Sequence, residues 1–378
     1  MAREAQVANG IAKKKALAKR SKVPPVKVVR VIDKIRGRVG KFHQKLVPPQ
    51  IAMFEMISSF WTAQALSVAA QLGVADVMKD SEMHFGDIAK KVGAHPESLY
   101  RLMRGLTNAN IFVELPERKF KLTAYGRCLR SDLDESVRSM AIFQGQYQWA
   151  HWAEMLHSVK TGETVVEKVR GQDLFGFLGK TPEAQHHFDA FMTTVSNMEI
   201  AAILSAYDFA GSKVIADIGG GRGSFLSAIL DSQVKFKGVL YDQPQVVATA
   251  ESELASGHLK SRCEIIGGSF FESVPKGADT YVMKHIIHDW EESKCIQILE
   301  NIRTVIPRYG KLVLVESVVA APNVPHFSKM LDLEMLVNAG GIERTAAQYA
   351  ELLAKCQFKL VRAVETVSMA SVLEAVPV

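Results

Sequence analysis

Cysteine is scarce in this sequence. The 378 residues include four cysteines, none in a C-x-x-C pair: Cys128, Cys263, Cys295 and Cys356. Such wide spacing excludes a disulfide scaffold and a zinc ribbon, and it fits a reducing cytosol. We therefore expect a cytoplasmic protein.

Long apolar runs are also rare. Residues 56–75 carry no charge and are long enough to span a bilayer. Six polar side chains interrupt this run: Ser58, Ser59, Thr62, Gln64, Ser67 and Gln71. They favour a helix buried between subunits or domains over a membrane span. The N-terminus also lacks the apolar segment of a secretory signal, so we expect no membrane-inserted segment.

Acidic residues are almost missing from the N-terminal region. Residues 1–50 contain two acidic and 14 basic side chains, whereas residues 51–378 contain 38 acidic and 32 basic ones. The overall charge of +6 therefore combines a strongly basic tail with a mildly acidic body. We interpret residues 1–45, with the run KKKALAKR, as a mobile, solvated extension. Nucleic-acid contact, an anionic membrane surface and an organelle address remain alternatives.

A helix, a turn, a helix and a hairpin are predicted between residues 84 and 122. The helices are DIAKKVG and PESLYRLMRGLTNA, and the strands are IFVEL and KFKLT. This order is typical of a winged helix-turn-helix. Arg101, Arg104 and Asn108 would share one helix face, as in a major-groove reader. A DNA-binding regulator therefore stays open beside a purely structural winged helix.

From about residue 201 short β-branched strands alternate with helical segments. The strands are KVIAD, KGVLYD, CEIIGG, DTYVMKHI and GKLVLVESV. Such alternation predicts an α/β fold with a mostly parallel, doubly wound sheet and helices on both faces.

A glycine-rich turn, VIADIGGGRGSF at residues 214–225, follows the first of these strands. It contains the pattern D-x-G-x-G-x-G, with Asp217 followed by Gly219, Gly221 and Gly223. The spacing is not G-x-G-x-x-G, and no G-K-[ST] follows, which excludes a P-loop. Asp217 before the glycines suits a cationic ligand better than a pyrophosphate. Asp242, at the end of the next strand, could accept hydrogen bonds from both ribose hydroxyls. The pattern favours S-adenosylmethionine (SAM).

The segment KHIIHDW, residues 284–290, ends the fourth strand at the carboxyl edge of the sheet, where active sites gather. His285 and His288 could suggest a metal, but no third ligand is spaced for one. We expect no metal. His288 follows a strand that is directed toward the cofactor crevice.

With these motifs in view, the chain resembles the plant-type small-molecule O-methyltransferases, which include the caffeic acid and hydroxyindole enzymes and bacterial relatives. The resemblance covers about residues 50–375 and is carried by ADIGGGRGSF, LYDQP, GGSFFESVP, MKHIIHDW, GKLVLVES and MLVNAGGIERT. It implies a helical, winged-helix dimerisation domain over residues 46–200 and a Rossmann-like class I methyltransferase domain over residues 201–378. It also implies a homodimer, which makes nucleic-acid binding a weaker interpretation.

The resemblance further implies a cofactor site. By this resemblance, Gly219 and Gly221 would face the methionine part of SAM. Asp242 would hold the ribose, and Phe270 would pack on the adenine. With the acid of the glycine turn, the expected cofactor-binding residues are Asp217, Gly219, Gly221, Asp242, Ser269, Phe270 and Lys284. Ser269 departs from the family, which usually has an acid there that contacts the adenine amine. Adenine recognition would then fall to backbone groups.

The same resemblance assigns His288 as the general base. Glu316 and Glu343 would flank and orient it, and Asp289 follows it. A phenol has a pKa of about 10, so a poised imidazole helps to remove its proton before the oxygen takes the methyl group. The sequence therefore predicts a SAM-dependent O-methyltransferase that acts without a metal on a hydroxyl, with a phenol as the expected acceptor. A SAM-bound enzyme of other chemistry remains an alternative.

The acceptor pocket is the least constrained part of this prediction. Candidate pocket residues are Met140, Phe143, Trp152, Met192, Met335 and Asn338. Most are apolar or aromatic, which suits a flat aromatic acceptor, but the same side chains could belong to the core.

Overall fold

The computed structural model of the chain describes residues 23–250 and 252–378. It has two compact units, Ile35–Val195 and Ser196–Val378, the second together with the described residues before Ile35. The predicted domain limits at residues 46 and 201 stay predictions. The part of the basic tail before residue 23 lies outside the described residues. The described part of the expected tail contains a helix, Val26–Lys45, and the mobility of the tail stays a prediction.

The unit Ile35–Val195 contains the predicted helix, turn, helix and hairpin. Gly93, in the left-handed region at φ 68°, ends the helix Phe85–Val92. The next helix, Pro96–Thr107, begins with proline at its first position and the His95 side chain as its N-cap. Three strands follow the order β1–β3–β2 and pair antiparallel: β1 Met83–His84, β2 Phe112–Leu115 and β3 Lys119–Leu122. The predicted element order is confirmed.

The remaining part of this unit is helical. Its long helix, Pro49–Gln71, buries only Ser67, Ala69 and Ala70 and carries exposed Phe60 and Trp61 in its middle. The other helical segments are Val74–Met78, Ala124–Arg127, Arg138–Phe143, a π-helical turn Gln144–Gln148, Trp149–Ala153, Met155–Thr161, Val165–Arg170, Leu174–Lys180 and the first part of Pro182–Ala206. Among the described residues, the structure has no helix that is long and apolar enough to cross a membrane.

The unit Ser196–Val378 is built on a seven-stranded sheet. Its strands are β4 Val214–Ile218, β5 Lys237–Asp242, β6 Cys263–Gly267, β7 Thr280–Lys284, β8 Lys311–Glu316, β9 Phe358–Glu365 and β10 Ser371–Pro377. The order is β6–β5–β4–β7–β8–β10–β9. The five predicted strands, β4 to β8, pair parallel. Strand β10 pairs antiparallel with both β8 and β9, a feature that the sequence analysis does not predict.

Alternate residues of the strands point to opposite faces, and each face has its own core. Ile215 belongs to one buried cluster, with Leu226 and Ile229 of the helix Ser224–Ser232. Ala216 belongs to the other, with Ile298 of the helix Glu292–Val305. Helices thus cover both faces of a mostly parallel sheet, as predicted. The carboxyl ends of β4, β5 and β7 meet at one edge.

Shorter segments complete this unit. They are the helices Pro244–Val247, Ser252–Ala255, Ser328–Glu334 and Ala346–Lys355, the π-helical turn Met335–Ala339, and the 3-10 turns Lys260–Arg262 and Ile287–Asp289. The 3-10 turn Ile287–Asp289 directly follows β7, so it presents its side chains at the carboxyl edge of the sheet.

Candidate active site

The glycine turn after β4 has the backbone shape that its sequence predicts. Gly219 and Gly221 have φ of 70° and 60°, in the left-handed region that favours glycine. A Cβ on Gly219 would lie 2.5 Å from Ile286 Cδ1 and 3.4 Å from Phe270 Cε1. The turn therefore packs directly against the segment that contains His288.

The two aspartates of the predicted cofactor site lie at the ends of β4 and β5. Asp242 Oδ2 accepts from the Gly221 backbone N–H at 2.8 Å, and Oδ1 accepts from Gln243 N–H at 2.7 Å. Each carboxylate oxygen keeps a second lone pair for a ribose hydroxyl. Asp242 thus holds the glycine turn as well as being available to a ligand.

Asp217 is buried, and its Oδ2 has no hydrogen-bond partner among the residues that the structure describes. Burial raises the pKa of Asp217 to about 7, with Lys284 acting in the opposite direction and Asp242 adding to the rise. An unpartnered buried carboxyl oxygen beside a glycine turn is a place for a cationic or N–H donor group. This site fits the ammonium-bearing end of SAM.

The adenine side of the predicted site is aromatic. The Phe270 ring lies 4.8 Å from Phe271 and 6.3 Å from Trp290. Asn301 Nδ2 donates to the Phe270 carbonyl at 2.9 Å and fixes this turn after β6. Ser269 is partly exposed, and its carbonyl accepts from the Glu272 and Ser273 backbone N–H groups. The structure brings Phe270 to the glycine turn, and a role for Ser269 in adenine binding stays a prediction.

His288 is 7% exposed and is surrounded by carboxylates. Its Nδ1 lies 2.7 Å from Glu343 Oε1 and 4.0 Å from Glu316 Oε2, and its Nε2 lies 3.4 Å from Asp289 Oδ1. An ionised carboxylate only accepts hydrogen bonds, so Nδ1 donates to Glu343 and the lone pair of the neutral ring is on Nε2. The structure therefore brings together all four of the residues predicted to be catalytic.

Backbone contacts fix the positions of these carboxylates. Glu316, at the end of β8, accepts at Oε1 from the Ile286 and Ile287 N–H groups at 3.2 and 2.8 Å. Close to Glu343, the Ile342 N–H donates to the His288 carbonyl at 2.8 Å. A side chain at Gly341 has no room, because its Cβ would lie 1.8 Å from that carbonyl oxygen. The two loops therefore pack closely on His288.

The carboxylates change the titration of His288. Burial disfavours the charged imidazolium, but the negative charges of Glu316 and Asp289 and the hydrogen bond to Glu343 outweigh it and raise the pKa of His288 to about 10. Burial also raises the pKa values of Glu316 and Asp289, while His288 opposes both shifts. At neutral pH, before the acceptor binds, His288 is therefore mostly in its charged imidazolium form.

A second imidazole–carboxylate pair lies beside His288, and the sequence analysis does not predict it. His285 Nε2 lies 2.8 Å from Glu199 Oε2, and Lys284 Nζ lies 3.5 Å from the same oxygen. Glu199 is 2% exposed; burial opposes its ionisation, but His285 and Lys284 together lower its pKa. The His285 and His288 rings are 5.1 Å apart. Glu199 lies in the helix Pro182–Ala206, where a lone acid in an otherwise apolar turn was the available signal.

The fold also brings a third possible metal ligand to the two histidines, contrary to the expectation from spacing. Nitrogen and oxygen atoms of His285, His288 and Glu316 lie within 4.8 Å of one another. Each of these side chains has a protein partner: Glu199 for His285, Glu343 for His288, and two backbone N–H groups for Glu316. These hydrogen bonds hold the three side chains in place, whereas His285 Nδ1 and Glu316 Oε2 have no hydrogen-bond partner among the described residues. We assign no metal to the cluster.

The predicted acceptor-pocket residues are divided between the two units. Phe143 is fully buried against Tyr147 and Phe188, which is a core position. Met140 and Trp152 are partly buried in the same unit, and Met192 is 37% exposed. In the other unit, Met335 is partly buried and Asn338 Nδ2 donates to Glu334 Oε1 at 2.9 Å. Their part in a pocket stays a prediction.

Comparison with known families matches both units. Residues 149–359 match the O-methyltransferase domain, and residues 54–132 match the O-methyltransferase dimerisation domain. Arg101, Arg104 and Asn108 lie within the dimerisation match, so the helix that carries them is part of this domain. Arg101 and Arg104 are exposed in this chain, and the dimerisation domain accounts for their helix without a role in DNA binding.

Individual relatives agree with this assignment. The chain is 40% identical over 332 residues to the phenazine O-methyltransferase PhzM of Lysobacter antibioticus, which covers 88% of this chain and 97% of that protein. It is 34% identical over 304 residues to the 8-amino-8-demethylriboflavin N,N-dimethyltransferase of Streptomyces davaonensis, covering 79% and 87%. A solved O-methyltransferase from neocarzinostatin biosynthesis, in complex with SAM and 2-hydroxy-5-methyl naphthoic acid, is 29% identical with a TM-score of 0.73, covering 84% and 96%. The chain therefore belongs to the family of SAM-dependent O-methyltransferases.

Proposed function

We propose that this enzyme methylates a hydroxyl group of an aromatic small molecule and that His288 removes the hydroxyl proton. The observation that carries the proposal is the buried His288–Glu343 pair, 2.7 Å apart, on a segment that packs against the glycine turn. A base that is held in one orientation next to the cofactor turn is the arrangement that methyl transfer to a weakly acidic oxygen needs.

When bound, SAM supplies an electrophilic methyl group, and we propose that Asp217, Asp242, Phe270 and Lys284 hold it. In its neutral form, His288 takes the proton of the acceptor hydroxyl at Nε2, since Nδ1 donates to Glu343. Glu343 fixes the tautomer, and Glu316 and Asp289 stabilise the imidazolium that results. The proton leaves to solvent before the next turnover. Glu199 holds His285 next to the His288 ring, and the position of His285 limits the movement of His288.

The acceptor class is inferred from relatives. One relative is named for a phenazine and another is solved with a hydroxylated naphthoic acid. Both compounds are flat and aromatic, which agrees with the apolar and aromatic candidates predicted for the pocket. Since one relative is named as an N,N-dimethyltransferase, aromatic amines belong in any acceptor screen.

We also propose that the enzyme works as a homodimer through the region matched by the dimerisation domain. Helix Pro49–Gln71 exposes Phe54, Ile57, Phe60 and Trp61 in this chain. These side chains cluster in the middle of one helix, and a second subunit would remove them from water.

The test is methyl transfer from methyl-labelled SAM to a panel of phenols, naphthols, hydroxyphenazines and the corresponding amines. We expect labelled product with one or more hydroxyl acceptors. His288→Ala should lower kcat by about a hundredfold or more, as removing a general base usually does, while SAM affinity stays unchanged. His258→Ala, at an exposed histidine of the same unit, is the matched control. Full activity of His288→Ala would rule out His288 as the base, and labelling of amines alone would replace oxygen with nitrogen as the accepting atom.

A further inference from the structure

Helix Val26–Lys45 is strongly amphipathic, and none of its residues is buried. Its apolar side chains are spaced by three or four residues, so they line one face: Val28, Val31, Ile32, Ile35, Val39 and Phe42, followed by Leu46 just past the helix end. Each of these seven side chains is between 47% and 63% exposed. A continuous apolar face that is this exposed calls for a covering surface.

The rest of the helix is basic. Seven Lys and Arg side chains share the helix with a single acid, Asp33: Lys27, Arg30, Lys34, Arg36, Arg38, Lys41 and Lys45. At 100° per residue most of them lie along one flank of the apolar face, with Arg36 on the other. The covering surface should therefore combine an apolar interior with negative charge at its border.

The catalytic family does not account for this helix. The matched dimerisation domain begins at residue 54, after the helix has ended. The helices of the described residues include none that is long and apolar enough to cross a bilayer, and this holds for Val26–Lys45 too. A helix of this composition lies in the interface of a bilayer instead of spanning it.

We propose that helix Val26–Lys45 binds the surface of an anionic lipid bilayer. Its apolar face enters the boundary between headgroups and acyl chains. Arg30 is ion-paired with Glu365 of β9, so contacts with lipid phosphates are assigned to the lysines of the helix and to Arg38. Charge complementarity favours this occupant over the same helix of a second copy, because two such helices would bring seven basic side chains each to one contact. The proposal is independent of the acceptor and of the role of His288.

The experiment is co-sedimentation of the full-length chain with large vesicles. Vesicles of phosphatidylcholine alone are compared with equimolar phosphatidylcholine and phosphatidylglycerol, at low and at physiological salt. We expect binding to the anionic vesicles that weakens as salt rises. The double variant Ile32→Gln/Phe42→Gln keeps the charge and should bind at least about tenfold more weakly, since two apolar side chains no longer enter the bilayer. Arg38→Gln/Lys41→Gln should also bind more weakly.

The matched control is Tyr309→Gln/Val361→Gln, which removes two exposed apolar side chains outside the helix and should bind as the unchanged chain does. Circular dichroism and methyl transfer in solution verify that each variant is folded. Unaltered binding by Ile32→Gln/Phe42→Gln would overturn the proposal, because attraction would then depend on charge alone. Equal binding to both vesicle types would also overturn it. A third result would overturn it as well: the unchanged chain does not bind vesicles, and the Ile32→Gln/Phe42→Gln variant has a smaller oligomeric mass than the unchanged chain. A second copy of the chain would then cover the apolar face.

Discussion

At the scale of single residues, the chemistry of the site depends on how many carboxylates face His288. Glu316, Glu343 and Asp289 all lie within 4.0 Å of its ring nitrogens. A single carboxylate would orient the ring, whereas three also hold a proton on it. The cluster therefore makes His288 a strong base that is mostly protonated at rest. Only the neutral form of His288 can take the proton from the hydroxyl group that is methylated.

This protonation predicts a pH dependence. Since the pKa of His288 is raised from 6.5 to about 10, we expect kcat/KM to increase with pH and to level off near pH 10. The sign for stability is opposite. A folded-state pKa above the unfolded value stabilises the protein fully below about pH 6.5, and this contribution is lost as the pH rises through about 10. Rate profiles and thermal unfolding over this range measure the two effects.

The variant Glu316→Gln shows whether the rise of kcat/KM with pH comes from titration of His288 or from titration of the acceptor hydroxyl. The amide oxygen can still accept from Ile286 and Ile287 N–H, but the negative charge near His288 is gone. The rising limb of kcat/KM should move to lower pH, while the acceptor's own titration is unchanged. Glu264→Gln, an exposed acid on β6, is the control and should leave the limb in place. A limb that stays in place in Glu316→Gln as well would assign the titration to the acceptor instead.

At the scale of elements, local patterns predicted what lies close along the chain. Strand β4 and its glycine turn follow from β-branched residues and glycines within 12 positions, and the structure has both. Contacts between residues that are far apart in sequence could not be predicted from local patterns. Glu199 is separated from His285 by 86 positions, and nothing in the helix around it indicates that partner. The contact between His288 and Glu343 was available only through the family resemblance.

The unpredicted elements have physical reasons too. Strands β9 and β10 are antiparallel at one end of the sheet, where the alternation of strands and helices no longer applies. Helix Val26–Lys45 lies within the tail that the sequence analysis interprets from its basic composition alone. Val28, Ile32, Ile35 and Val39 are spaced by three or four residues. That spacing was the signal for a helix.

One loop contact between elements predicts a sharp effect on activity. A methyl group at Gly341 would lie 1.8 Å from the His288 carbonyl oxygen and 2.8 Å from Asp289 Cα, so the backbone must move. In Gly341→Ala, His288 should be displaced and kcat should fall by about a hundredfold, as a misplacement of about 1 Å can cause. Gly105→Ala is the control, since its added methyl group meets no atom within 4 Å. Normal turnover of Gly341→Ala would mean that the two loops are not packed as tightly as described.

At the scale of the whole molecule, the residues proposed for catalysis and for cofactor binding lie in one of two compact units. Glu199, Asp217, Asp242, His288, Glu316 and Glu343 all belong to Ser196–Val378. The basic residues of the helix Val26–Lys45 and the acidic body are separate in sequence, so charge near the N-terminus does not report on the active site. Cofactor binding should therefore act on the stability of the unit that contains β4 to β10.

Binding of the product S-adenosylhomocysteine provides the measurement. A ligand at a hundredfold its Kd that binds only the folded state stabilises it by about 2.7 kcal/mol, and thermal or denaturant unfolding of the full-length chain detects this. Asp242→Ala should lose most of the increase at the same ligand concentration, because it removes the proposed ribose acceptor and the contact to Gly221 N–H. Asp134→Ala, at an exposed aspartate of the other unit, should keep the full increase. An equal ligand-induced increase in Asp242→Ala and Asp134→Ala would mean that Asp242 supports the glycine turn without binding the cofactor.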